Sequence, residues 1–100
     1  MTDYKPFNAI TGKPYNGGNI IVLTSAAKSL NQLGDPRWLT FLQAKELGAH
    51  VKKGSHGVKI TFASTQETET ENGEKKSRNV YKQYTVFHAS QIEGIPPYHA

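Results

Sequence analysis

The sequence predicts an α+β domain: two N-terminal helices packed on a small antiparallel sheet that carries a long polar hairpin loop. Three observations lead there. Apolar residues recur at spacings of three and four from Ile20 to Leu30 and again from Phe41 to Leu47, the period of a helix face. From Val58 the period changes to two, as in a half-buried strand. A polar stretch centred on Asn72-Gly73 then leads to a second segment rich in Tyr, Val and Phe, and Asn-Gly is the strongest short hairpin signal. A chain of 100 residues makes one domain, 1–100. A hydrophobic share of 36% leaves it a modest core.

The opening, Met1 to Asn8, mixes polarity around one proline and reads as a loosely held arm, flexible over 1–6. Residues 11–18 are dense in turn formers. Asn19 then fits as the cap of a helix with Ile20, Leu23, Ala27 and Leu30 on one face and Gly34 as its stop. After the break at Asp35-Pro36, Thr40 and Gln43 have the spacing of a capping box. The short helix they open should pack through Phe41, Ala44 and Leu47 and end at Gly48. Trp38, just before that cap, is expected in the core as a hydrophobic staple on the short helix. Val58, Ile60 and Phe62 form the apolar side of the first strand, and 79–88 is its partner. Residues 65–78 read as the hairpin loop and 95–100, with Pro96-Pro97, as a tail.

Twelve bases stand against eight acids, for a net charge of +4. Four of the acids, Glu67, Glu69, Glu71 and Glu74, crowd into the polar stretch. The body of the domain is therefore more basic than the total indicates, and basic surfaces attract polyanions, chiefly nucleic acid and anionic membranes. No run approaches the ~20 apolar residues of a membrane span. The N-terminus lacks a secretory signal, and cysteine is absent. A cytoplasmic protein with no membrane partner is expected. His50, His56, His88 and His99 lack metal-ligand spacing, so no metal or other cofactor is expected.

Four pieces of the chain carry a resemblance. They are Thr11-Gly12-Lys13-Pro14-Tyr15 with Gly18-Asn19; Asp35-Pro36-Arg37-Trp38-Leu39-Thr40-Phe41 running into Gln43-Ala44-Lys45-Glu46-Leu47-Gly48; Val51-Lys52-Lys53-Gly54 with Gly57; and Tyr84-Thr85-Val86-Phe87 with Gln91-Ile92-Glu93-Gly94. In this order the chain resembles the N-terminal domain of ArdC-type antirestriction proteins and related plasmid conjugation proteins. The resemblance implies single-stranded DNA as partner and an origin on plasmids or other mobile elements. Relatives commonly continue into a metalloprotease-like C-terminal domain with a His-Glu-x-x-His helix, a motif these residues do not contain.

Single-strand binders combine cations that follow the backbone with aromatic faces on which bases stack. Lys13, Tyr15 and Asn19 could form a phosphate cradle and stacking surface at the start of the first helix, or simply an ordinary capped turn. Lys52 and Lys53 on a glycine-rich turn, with Lys59 on the strand, could form a basic ridge, or a solvated turn with no ligand. Arg37 is open to a phosphate contact. On the second strand Lys82 and Tyr84 share one face and Tyr81 takes the other; the sequence leaves open which is exposed. The expected function is sequence-tolerant single-stranded DNA binding in antirestriction or plasmid transfer, without enzymatic chemistry. The alternative is a protein-interaction module that inhibits a restriction enzyme directly.

Overall fold

Backbone hydrogen bonds and two buried side chains place the first segment. The computed structural model describes residues 4–98, apart from the side chains of Ser64 and Gln66. Tyr4 and Pro6 are buried. β1 (Phe7–Asn8) runs parallel to β2 (Arg37–Thr40), with the Phe7 amide donating to the Pro36 carbonyl at 2.9 Å and the Ala9 amide to the Trp38 carbonyl at 2.8 Å. The expected flexible arm is thus fastened from Tyr4 onward. Its first three positions lie outside the described residues.

Helix α1 spans Gly18–Ser29, and Gly17, at φ +61°, is its N-cap. Asn19, expected as the cap, lies inside the helix, and its side chain bonds to a strand instead. The helix ends before the expected stop at Gly34. Asn31 takes the left-handed conformation at φ +57°, and the Gln32 amide reaches the Ala27 carbonyl at 2.8 Å. That is a Schellman-type ending, satisfied by asparagine one turn earlier than the glycine. Helix α2 (Phe41–Glu46) opens with the expected capping box: the Gln43 amide donates to Thr40 Oγ1 at 3.1 Å and the Thr40 amide to Gln43 Oε1 at 3.0 Å. Of its three expected contacts only Ala44 is buried; Phe41 and Leu47 are 58% and 54% exposed. Positions three residues away lie ~60° to either side of Ala44, so a close approach through the small residue turns both outward.

Strand β3 (His50–Val51) pairs with β6 (Ile92–Glu93), while β4 (Val58–Glu69) and β5 (Lys75–His88) complete the main sheet in the order β1-β2-β5-β4. The main sheet is mixed, since the arm adds one parallel strand to the expected antiparallel set. The stretch 65–78, expected as a loop, is strand except for a turn at 70–74. Pairing is continuous from Val58↔Val86 to Glu69↔Lys75. Gly73, at φ +77°, closes the turn, and its amide donates to the Thr70 carbonyl at 2.9 Å. Because β5 meets β2 only at Val86–His88, the far part of the hairpin is a two-stranded ribbon. It stretches the molecule to 55 × 36 × 24 Å, with a radius of gyration of 16.6 Å, against about 13 Å for a compact chain of this length.

The sheet separates two cores. On one face Trp38, Ile60 and Val86 lie beneath Leu23 and Ala27 of α1; on the other, Leu39 and the half-buried Phe87 meet Ala44, Ala49 and Ile92. Consecutive strand residues point to opposite faces. Trp38 is therefore buried as expected, but under α1 rather than as a staple on α2. Its Nε1–H donates to the Tyr4 hydroxyl at 2.9 Å, which donates in turn to the Asp35 carbonyl at 2.7 Å. Burial pushes the Tyr4 phenol up to about 12. The tail is also held, with Ile95 half-buried in the second core; His99 and Ala100 lie outside the described residues.

His88 is fully buried, with its ring edge-on to Trp38. Its Nδ1 accepts the Ser90 amide at 3.0 Å, so Nε2 carries the proton and donates to the Asp35 carbonyl at 2.8 Å. Desolvation holds its pKa below the ordinary 6.5, against the favourable charge of Asp35 and alongside the unfavourable one of Arg37. The unfolded chain therefore binds a proton before the folded one does. Stability should be fully present above pH ~6.5 and fall as pH drops below it. Urea midpoints at pH 8, 6.5 and 5 check this, and His88→Gln should flatten the dependence. A midpoint unchanged between pH 8 and 5 in the parent chain would contradict the assignment.

Candidate nucleic-acid interface

Where α1 ends over the sheet, the face beyond it is open. A cleft of about 680 Å³ forms between the open face and the chain segment that precedes α1. That segment is folded back on β1: the Asn8 amide donates to the Lys13 carbonyl at 2.9 Å and the Tyr15 amide to the Pro6 carbonyl at 3.0 Å. Lys13, Pro14, Tyr15 and Asn16 form one wall of the cleft. Ile60 and Val86 lie in its floor, and Phe62, Lys82 and Tyr84 continue the same sheet face outward.

Rings follow one another along this cleft. Tyr15 and Phe62 are 6.2 Å apart and tilted, and Phe62 meets Tyr84 at 5.6 Å in a T-shape. Phe62 is 41% and Tyr84 44% exposed, whereas Tyr15 is buried. Tyr15 therefore supports the cleft, and the free ring faces belong to Phe62 and Tyr84. Desolvation raises the Tyr15 pKa, so its phenol stays neutral at ordinary pH. An amide pair closes one end: Asn8 Nδ2 donates to Gln43 Oε1 at 3.0 Å and Gln43 Nε2 to Asn8 Oδ1 at 3.4 Å. Among the described residues, the charged ones lining the cleft are Lys13 and Lys82, with no carboxylate.

The remaining sequence-derived candidates lie elsewhere. Asn19 Nδ2 donates to the Thr61 carbonyl at 2.9 Å and its Oδ1 accepts the Thr61 amide at 3.1 Å. It thus caps the outer edge of β4 as a further strand would, and docks α1 there. Beside it a shallower groove of about 370 Å³ is lined by Asn16, Gly18, Asn19, Val22, Lys59 and Thr61. Asn16 borders both depressions, but Lys59 alternates with Val58 and Ile60 and pairs with Thr85, which assigns it to the opposite face of the sheet from Phe62, Lys82 and Tyr84. Lys52 and Lys53 occupy an exposed turn on the other sheet face. That turn closes with Gly57, where a Cβ would collide with the side chains of Thr85 and Phe87. The geometry does not bring Lys52 or Lys53 to the aromatic cleft.

Arg37 is fully engaged. It grips Asp35 through Nε at 3.0 Å and Nη2 at 2.9 Å, donates from Nη1 to the Pro96 carbonyl at 2.8 Å, and lies 5.5 Å from the Tyr98 ring centroid. Burial pushes the Asp35 carboxyl up, but the hydrogen bonds and charge of Arg37 outweigh it and leave its pKa below the usual value. This arrangement straps the C-terminal segment to the domain.

Sequence reasoning missed Phe62 as an exposed ring and passed over Asn8 and Gln43. Strand alternation groups Lys82 with Tyr84 on one face of β5, but it is the register of the folded hairpin that puts them on the face of Phe62. Among the described residues no group of three or more His, Asp or Glu could hold a metal ion. Nor is any helix among them long and apolar enough to cross a membrane.

Comparison with known proteins places this architecture. The family described as the N-terminal domain of anti-restriction factor ArdC matches residues 1–87. The crystal structure of the antirestriction ArdC protein from plasmid R388, metal-free, superposes with a TM-score of 0.74 and 39% identity, covering 92% of this chain and 33% of that one. The Mn(II)-bound structure of the same protein gives a TM-score of 0.70 and 34% identity over 93% of this chain and 36% of that one. A protein named DNA primase TraC from Escherichia coli is 33% identical over 92% of this chain and 10% of its own length. The chain therefore spans about a third of ArdC and a tenth of TraC. The fold, the cleft-bearing segments and these matches agree: the chain belongs to the family of the ArdC N-terminal domain.

Proposed function

We propose that this domain binds single-stranded DNA in the aromatic cleft, serving antirestriction or plasmid transfer, and makes or breaks no bond itself. The observation that carries the reading is the cleft's composition: two half-exposed rings, Phe62 and Tyr84, together with Lys13 and Lys82, and no carboxylate among the described lining residues. Stacking faces flanked by cations are what a single strand needs, because each base has a π-face and each linkage a negative charge. Membership in the ArdC family and the likeness to the plasmid R388 antirestriction protein support the biological setting.

Anisotropy of labelled single-stranded DNA, against duplex of the same sequence, tests this at two salt concentrations. Preference for the single strand is expected. With about two phosphates neutralised, by Lys13 and Lys82, log affinity should fall against log salt with a slope near −1.4. Equal affinity for duplex, or binding indifferent to salt, would refute the proposal.

A further inference from the structure

Beyond Phe62 and Lys82 the strands β4 and β5 pair only with each other, so residues 63–69 and 75–81 form an arm that the core does not require. Its charges are sorted by face. Along β5, Lys76, Arg78 and Lys82 have the same parity and fall on the face that opens into the cleft. Their register partners on β4 are Thr68, Gln66 and Phe62, none of them acidic. Glu67 and Glu69 have the opposite parity and pair in register with Ser77 and Lys75 on the reverse face. Among the described residues neither Lys76 nor Arg78 forms an ion pair. A ribbon that served only solubility would set opposite charges across the strands, where such pairs stabilise. This one does so on the reverse face near its tip; on the cleft face the run from Lys76 to Lys82 is cationic, and an acid of the same parity, Glu74, stands only at the turn, where its carbonyl accepts the Thr70 amide at 2.8 Å.

The geometry points to a second function for the hairpin: its cationic face extends the cleft into a track that holds the phosphates of the same single strand as it leaves the aromatic rings. Lys76 and Lys82 are six residues apart in an extended strand, roughly 20 Å, with Arg78 between them. The inference rests on the cleft reading and adds to it a longer site and a named exit path. Counter-ion release from two further phosphates steepens the salt slope by about 1.4.

The test uses the full chain and oligodeoxythymidines of about 6 and about 20 nucleotides, within and beyond the ~4–16 nucleotides of a typical single-strand site. Lys76→Gln/Arg78→Gln should leave affinity for the short strand within about twofold, weaken the long one about tenfold and flatten its salt slope by about 1.4. Glu67→Gln/Glu69→Gln, on the reverse face, should not weaken either. Equal affinity of the Lys76→Gln/Arg78→Gln variant and the parent for the long strand would overturn the track, as would equal loss on both lengths. If the parent failed to bind the short strand, the cleft reading itself would fall, and the track with it. All four side chains are exposed, so thermal unfolding should be unchanged and a lost affinity can be read as lost contact.

Discussion

Replacing Phe62 and Tyr84 together by alanine is expected to lower affinity for single-stranded DNA by at least ~30-fold. Each stacked base is worth about 1–3 kcal/mol to its aromatic partner. Two rings thus contribute about 2 kcal/mol at the least, and ~1.4 kcal/mol is a factor of ten. The loss should persist at high salt, because stacking, unlike phosphate contact, releases no counter-ions. Tyr81→Ala is the matched control. Tyr81 is the more exposed ring, at 66%, and sits on the same strand, but it alternates onto the opposite face. Anisotropy titrations on both variants, with circular dichroism to confirm folding, decide the matter. Unchanged affinity without Phe62 and Tyr84, or a loss on removing Tyr81, would mean that the cleft is not where bases stack.

The largest stability effect should follow Trp38→Ala. Trp38 is fully buried, lies edge-on to His88 at 4.9 Å, and gives its Nε1–H to Tyr4. Truncating a buried aromatic to alanine costs about 3–5 kcal/mol, a large part of the ~5–15 kcal/mol that holds a small domain together. At about 4–8 °C per kcal/mol for a domain of this size, Tm should drop by more than ~12 °C. Trp38→Phe keeps most of the packing and removes only the donor to a hydroxyl that still reaches the Asp35 carbonyl. It should cost about 1–2 kcal/mol. Thermal melts followed by circular dichroism measure both. A Trp38→Ala protein melting within about 3 °C of the parent would show that the two N-terminal segments are held by something other than this network.

Signals that act within a few residues were legible in the sequence. The capping box of Thr40 and Gln43, the left-handed glycines at 48 and 73, and the alternation of Val58, Ile60 and Phe62 each rest on hydrogen bonds or sterics between near neighbours. They suffice for the α+β class, the two helices and the paired strands. The order of four motif pieces sufficed for the family. The faces of β5 were legible as sets: Lys82, Tyr84 and Val86 on one, Tyr81 on the other.

Tertiary structure decided which set lines the cleft. Phe62 and Ile60 are alike by hydropathy and parity, yet Ile60 is buried and Phe62 is open, because α1 covers one and ends before the other. Asn19 has the chemistry of a cap and serves as an edge clamp on Thr61, 42 residues away; Arg37 looks free and is held by Pro96, 59 residues away. The stretch 65–78 has the composition of a loop and the backbone pairing of a ribbon, since a strand's hydrogen bonds run through main-chain groups that every residue but proline carries in full. Composition and periodicity report what each residue tends to do locally. Exposure, register and long-range partners depend on where separate elements stop and meet, and that is settled only when the chain packs.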